Sequence, residues 1–138
     1  MHSNAVPVQR EQVREQGGAR APTELSEQSK LALWLNEAGV LWCHVPNEGK
    51  RSKRYGRRLR AQGLEPGVPD VLVFAIRPGE WPCSVRGWAV ELKRRDERAV
   101  ASGAQSRWLR DLAAAGWATT VCHGADEAIA WFKGQWGA

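Results

Sequence analysis

The sequence predicts an α/β sandwich with a mixed sheet, and three observations carry that expectation. Its 138 residues match one domain rather than two, with enough chain for a single core. Helical stretches and short apolar, strand-forming runs follow one another in the order helix, strand, strand, strand, helix, strand, helix. Turn residues punctuate that order, with Gly39 and Gly116 closing helices and Pro46-Asn47 closing a strand. No internal repeat is present.

Residues 1–22 are rich in Gln, Arg, Glu, Gly and Ala without apolar periodicity, and are expected to form a flexible N-terminal arm. Order is expected from Thr23, a good N-cap, ahead of a helix that carries Leu31, Leu33, Trp34 and Leu35 and stops at Gly39. Val40 to Val45 reads as a strand. Asn47 to Pro66 is a polar connection with three glycines and a dense basic run, inside which Leu59 to Gln62 is expected to form a short helix. Val71 to Ile76 is a buried strand, Arg77 to Gly87 a turn-rich loop, and Trp88 to Lys93 the next strand. Ala104 to Ala115 reads as a helix, Trp117 to Cys122 as a strand and Ala125 to Trp136 as the last helix.

Composition narrows the class. Apolar residues at 43% and charged residues at 25% are globular values and argue against disorder. The longest apolar run, Val71 to Ile76, is far too short to cross a bilayer, and no signal-peptide pattern opens the sequence, so a cytoplasmic location is expected. The three cysteines (Cys43, Cys83, Cys122) lack C-x-x-C spacing, which argues against a disulfide framework or a zinc ribbon. Cys43-His44 and Cys122-His123 sit in strands, where neighbours point to opposite faces and cannot easily share one ion.

Two strands place acids where a metal could use them. Gly67-Val68-Pro69-Asp70 is a rigid turn that delivers Asp70 to the mouth of the Val71 strand. In the next strand, alternation puts Trp88, Val90 and Leu92 on one face and Ala89, Glu91 and Lys93 on the other. Charges on a buried strand need a partner, and a divalent cation suits Asp70 and Glu91, with Lys93 beside it holding a water or a phosphate oxygen. An ordinary carboxylate–lysine ion pair at a strand end is the bland alternative, and Glu-x-Lys alone favours it.

The combination of Gly-Val-Pro-Asp with a later Val-Glu-Leu-Lys resembles the PD-(D/E)xK nucleases, and in particular their VRR-NUC family in its short stand-alone phage and bacterial form. The resemblance runs from about Thr23 to Ile129 and includes Glu24 ahead of Gln28, His44-Val45-Pro46-Asn47-Glu48-Gly49, Gly63-Leu64, Gln105 and the Gly116 turn. The long Arg77 to Gly87 loop and the N-terminal arm depart from the pattern. The resemblance implies a restriction-endonuclease-like α/β/α core, with residues 23–138 as the nuclease domain. It also implies a Mg2+ or Mn2+ centre held by Asp70, Glu91, the Leu92 backbone carbonyl and Glu24, with no organic cofactor. Glu27, one turn along nearly the same face, is the rival of Glu24. Lys93 would activate the attacking water, and Gln105 would position the lysine or the phosphate; without the family, Gln105 reads as a solvent-exposed helical glutamine.

Substrate signals point to a polyanion. Lys50, Arg51, Lys53, Arg54, Arg57, Arg58 and Arg60 are seven cations without an intervening acid, more than the whole net charge of +5. Such runs are often merely solvated, but this one leads directly to Asp70. Asn47, just before it, is a candidate polar contact, and His44 is expected to be a strand residue with a satisfied ring. Lys93, Arg94, Arg95 and Arg98 form a second basic group, partly offset by Asp96 and Glu97. No base-reading module is visible, so backbone shape is the expected basis of recognition.

Of the eight tryptophans, Trp34, Trp88, Trp108 and Trp131 are expected in the core, while Trp81 and Trp136 are candidates for stacking on unpaired bases or, with a slight preference, for packing on a second subunit. The family resemblance implies a homodimer, which would suit branched or double-stranded DNA. The expected activity is therefore a metal-dependent endodeoxyribonuclease, structure-selective on branched or junction DNA in phage or bacterial recombination or repair. Two alternatives remain at this point: a non-catalytic DNA-binding protein on the same fold, and a nuclease acting mainly on RNA or single strands.

Overall fold

The structure, a computed structural model, describes residues 22–46, 53–76, 84–96, 98 and 100–137, with the Lys53 side chain not among them. The first helix, α1, spans Glu24–Ala38. Thr23 starts it by accepting the Ser26 backbone N–H at 3.1 Å, and Gly39 ends it at φ 70°, where its own N–H returns to Asn36. Glu27, Leu31 and Leu35, four residues apart, are its buried stripe.

Strand β1 spans Leu41–His44 and helix α2 spans Lys53–Ala61. This helix begins well before Leu59, where the sequence places its start. Arg and Lys are good helix formers, so a basic run with little apolar patterning can still coil when its face is solvated. Strand β2 is Val71–Ala75, β3 is Trp88–Lys93, α3 is Gly103–Ala114, β4 is Ala118–His123 and α4 is Ala125–Trp136.

The four strands form one mixed sheet in the order β1-β2-β3-β4. β1 pairs with β2 and β2 with β3 antiparallel, while β3 and β4 run parallel because α3 carries the chain across between them. β3 is buried along nearly its whole length, which is why it reads as a mostly apolar run. Helices α1 and α4 pack together over one face, and α3 packs on β3 and β4.

The core joins Leu31 and Leu35 to Val71, Val73, Trp88, Val90, Leu92, Cys122, Ala125, Ala128 and Phe132. Phe132 is fully buried and stacks near Trp136 at 4.8 Å between ring centroids; losing such a ring costs about 3–5 kcal/mol. Trp136 also lies parallel to Trp34 at 5.8 Å and edge-on to Trp88 at 5.6 Å. Its ring therefore packs on the aromatic cluster of its own chain while staying partly exposed. Trp108 differs from its expected place. It lies outside the core, half-buried on α3, and lines a surface cleft with Glu65, Pro66 and Arg107. Trp34 and Trp131 pack against the core while partly exposed, and Trp81 lies outside the described residues. None of the described helices is long and apolar enough to cross a membrane.

Candidate active site

The site is assembled where β2 starts and β3 ends. The antiparallel register pairs Val71 with Val90, so the residue before Val71 meets the residues after Val90. Asp70 consequently reaches β3, where its Oδ2 accepts the Leu92 backbone N–H at 2.7 Å. The Asp70 carbonyl in turn accepts the Val45 N–H at 2.8 Å and the His44 Nδ1–H at 2.9 Å. Both partners lie at the end of β1, and they fix the backbone that carries the acid. The His44 ring is satisfied in this way, as expected from its strand position.

Glycine makes the approach turn possible. Gly67 has φ 85°, and a Cβ there would lie 2.6 Å from the Ala104 carbonyl carbon. The turn into Asp70 therefore rests directly on the first turn of α3, and no side chain can stand between them.

That first turn brings the fourth residue. Ser102 and Gln105 form a capping box: the Ser102 Oγ accepts the Gln105 N–H at 3.3 Å, and the Gln105 Oε1 accepts the Ser102 N–H at 2.8 Å. The same Oε1 also accepts from Lys93 Nζ at 3.1 Å, while Nε2 donates to Glu91 Oε1 at 2.5 Å. Lys93 Nζ stands 3.3 Å from that Glu91 oxygen. Gln105 is thus no free surface glutamine; it touches both charged side chains of β3. The Ser102-x-x-Gln105 spacing was the local signal that could have placed this helix start, one residue before Ala104.

Burial decides the electrostatics. Glu91 is 2% exposed and Asp70 6% exposed. The Glu91 carboxyl is pushed up to about 7, first by burial and then by the neighbouring Asp70 charge, with Lys93 pulling the other way. Its Oε2 is buried and accepts no hydrogen bond among the described residues. Two near-buried carboxylates with one unused oxygen are a donor set that a hard divalent cation satisfies. No group of three or more His, Cys, Asp and Glu side chains is placed to hold a metal ion among the described residues, so Glu24 does not join Asp70 and Glu91 as a third ligand here. An open set of one or two carboxylates and a carbonyl is instead how Mg2+-type ions are held alongside water and phosphate.

The two glutamates of α1 separate cleanly. Glu24 lines a cleft of about 90 Å³ with Leu25, Gln28, His44, Asp70 and Leu92. Glu27 points elsewhere: it is 1% exposed, accepts the Ala125 backbone N–H at the start of α4, and pairs with Arg95 at 3.3 Å. Arg95 also reaches Asp126 at 3.0 Å, and Arg94 reaches Asp96 at 3.1 Å. Much of the second basic group is therefore engaged in ion pairs within the fold.

Arg54, Arg57, Arg58 and Arg60 all lie exposed along α2. None of them pairs with an acid among the described residues. Lys53 opens the helix. The other candidate contacts, Asn47, Lys50 and Arg51, lie outside the described residues, as do residues 1–21. Gln28, which lines the cleft beside Glu24, is a site residue for which sequence reasoning had assigned no role.

The profile of the VRR-NUC domain matches residues 22–126. Among solved structures, a VRR_NUC domain protein aligns with a TM-score of 0.66 at 21% identity, covering 84% of this chain and 89% of its own. None of the curated proteins matches the chain.

Proposed function

Because the chain belongs to the VRR-NUC domain family of nucleases that act on DNA, we propose that it is a metal-dependent endodeoxyribonuclease, structure-selective for branched or junction DNA in phage or bacterial recombination or repair. The observation that carries this reading is the cluster of Asp70, Glu91, Lys93 and Gln105, in which a buried Glu91 oxygen is left for a further partner. Decay of the site to a DNA-binding scaffold would have no use for that arrangement.

Asp70, Glu91 and the Leu92 carbonyl would hold Mg2+ or Mn2+, with Glu24 reaching the same region across the cleft. When bound, the ion supplies positive charge to the phosphoryl and leaving oxygens as they become more negative. Lys93 orients a water for in-line attack on phosphorus and assists removal of its proton. Gln105 holds the Lys93 ammonium on one side and the Glu91 carboxylate on the other, so both keep their geometry through the reaction. The exposed arginines of α2 supply non-specific attraction for the phosphate backbone. The homodimer reading rests on the family resemblance; exposed Leu41 and Phe74 at the β1–β2 edge offer apolar surface for it.

The test is cleavage of labelled four-way junction, flap, duplex and single-stranded DNA, with matched RNA, in EDTA, Mg2+ and Mn2+. Metal-dependent cutting of junction or flap DNA that Lys93→Ala and Asp70→Asn both lose would support the proposal. Preferential cutting of RNA or single strands would replace the substrate, and binding without cutting would replace the activity.

A further inference from the structure

The cleft beside Asp70 contains a donor that the reading above does not use. Gln28 lies one turn beyond Glu24 on the same face of α1 and lines the cleft with Glu24, His44, Asp70 and Leu92. Its Nε2 is buried and meets no acceptor among the described residues. An amide N–H withdrawn from water without a partner is destabilising, so its place on a ligand-facing wall calls for an acceptor that arrives with the ligand.

The neighbours narrow that acceptor. The Leu92 N–H is already donated to Asp70, and the His44 Nδ1–H to the Asp70 carbonyl. In the neutral ring this leaves His44 Nε2 as an acceptor. The other polar groups on the wall, Glu24 and Asp70, are carboxylates. Gln28 therefore brings an uncommitted side-chain N–H to a cleft whose other polar side chains include the carboxylates of Glu24 and Asp70.

We infer that Gln28 is a substrate-positioning residue whose Nε2–H donates to a non-bridging oxygen of the DNA phosphate seated beside Asp70. The inference rests on the nuclease reading. A neutral amide suits this position because it holds one phosphate oxygen without pairing with Asp70 or Glu24, as a lysine or arginine there would. The contact selects between the two non-bridging oxygens, so it is stereospecific at phosphorus.

The experiment uses the full chain, a junction whose cleavage position has been mapped, and the two separated methylphosphonate diastereomers at that position. Binding is read in Ca2+ and cleavage in Mg2+, for wild type, Gln28→Met and Gln28→Glu, with melting temperatures for each. Wild type should discriminate between the diastereomers, and Gln28→Met should lose about tenfold on the natural phosphate. The diastereomer lacking the contacted oxygen should cost Gln28→Met nothing further, since the partner is already gone. Gln28→Glu keeps the shape of the side chain but lacks the donor, so it should show the same loss and serves if the methionine variant melts early. Losses that add equally for both diastereomers, or variants that match wild type, would overturn the assignment while leaving the nuclease intact. A wild-type protein that cuts none of the junction, flap, duplex, single-stranded or RNA substrates would overturn the nuclease reading as well.

Discussion

Gln105 and Glu91 are joined side chain to side chain, Nε2 to Oε1 at 2.5 Å, across the gap between α3 and β3. The same glutamine closes the capping box of its own helix with Ser102. One residue therefore ties helix initiation to the alignment of a buried carboxylate. Gln105→Ala keeps the Ser102 cap on its backbone N–H but loses the reciprocal bond to the Ser102 N–H, so it should lower the melting temperature only slightly, by about 0.5–1 kcal/mol of stability, and should also cut turnover by freeing Lys93. Gln105→Glu keeps the cap but sets a carboxylate against Glu91. If it turns over like wild type while the alanine variant does not, Gln105 acts only through the helix.

Glu24 and Glu27 should fail in different assays. Glu24→Gln should weaken metal binding and cleavage more than stability, because Glu24 lines the Asp70 cleft. Glu27→Ala strips the buried group that caps Ala125 and pairs with Arg95, and should cost about 3 kcal/mol of stability. Urea melts beside Mn2+ titrations of both variants check this; a Glu27 variant of normal stability and impaired metal binding would reverse the two roles.

Metal-free protein should lose stability as pH rises from about 4.5 to about 7. The sign follows from the direction of the Glu91 shift. Its proton is held more tightly in the folded state, so in that window the unfolded chain ionises first and gains relative to the native state. Below the window both states are protonated and the contribution is complete; above it both are ionised and the contribution is gone. At 1.36 kcal/mol per pH unit the loss is about 3 kcal/mol. Thermal melts in EDTA between pH 5 and pH 8 should therefore slope downward for wild type and stay flatter for Glu91→Gln. Saturating Mg2+ should remove most of the difference, since it favours the ionised carboxylate. Parallel slopes for the two proteins in EDTA would show that Glu91 is not the group titrating.

The parts of the site that sequence made legible are those governed by local rules. Strand alternation alone placed Glu91 and Lys93 on one face, and the proline-glycine turn placed Asp70 beside them. What remained hidden depended on distant partners. Glu24 and Glu27 are nearly equivalent on the helix, and they are separated by Ala125, 98 residues beyond Glu27. Helix α2 lacked the apolar period by which helices are recognised, with Leu59 its one partly buried apolar side chain. Trp108 and Trp136 both sit in apolar helical patterns. Which of them packs against the core is set by how α3 and α4 lie against the sheet, and neither helix carries that information alone. Gln28 has no sequence signal apart from the family; its interest lies in an unmet hydrogen bond.

Helix α2 should supply binding energy without touching the chemistry. Arg54, Arg57 and Arg58 are spaced so that they share one side of the helix, and all three are exposed. Each phosphate they neutralise releases counterions, so the slope of log K against log salt should shrink by about 0.9 per lost contact on duplex DNA. The triple alanine variant should therefore bind junction or duplex more weakly at low salt and show a slope reduced by up to about three. Its helix should persist, because alanine exceeds arginine in helix propensity and the like-charge repulsion along that side is removed. Mn2+ affinity measured without DNA should match wild type, since none of the three side chains lines the Asp70 cleft. Binding isotherms between 50 and 300 mM KCl, paired with that metal titration, separate the two contributions. An unchanged salt slope would take α2 off the DNA path. A slope that falls together with metal affinity would mean the substitutions had disturbed the turn leading into Asp70.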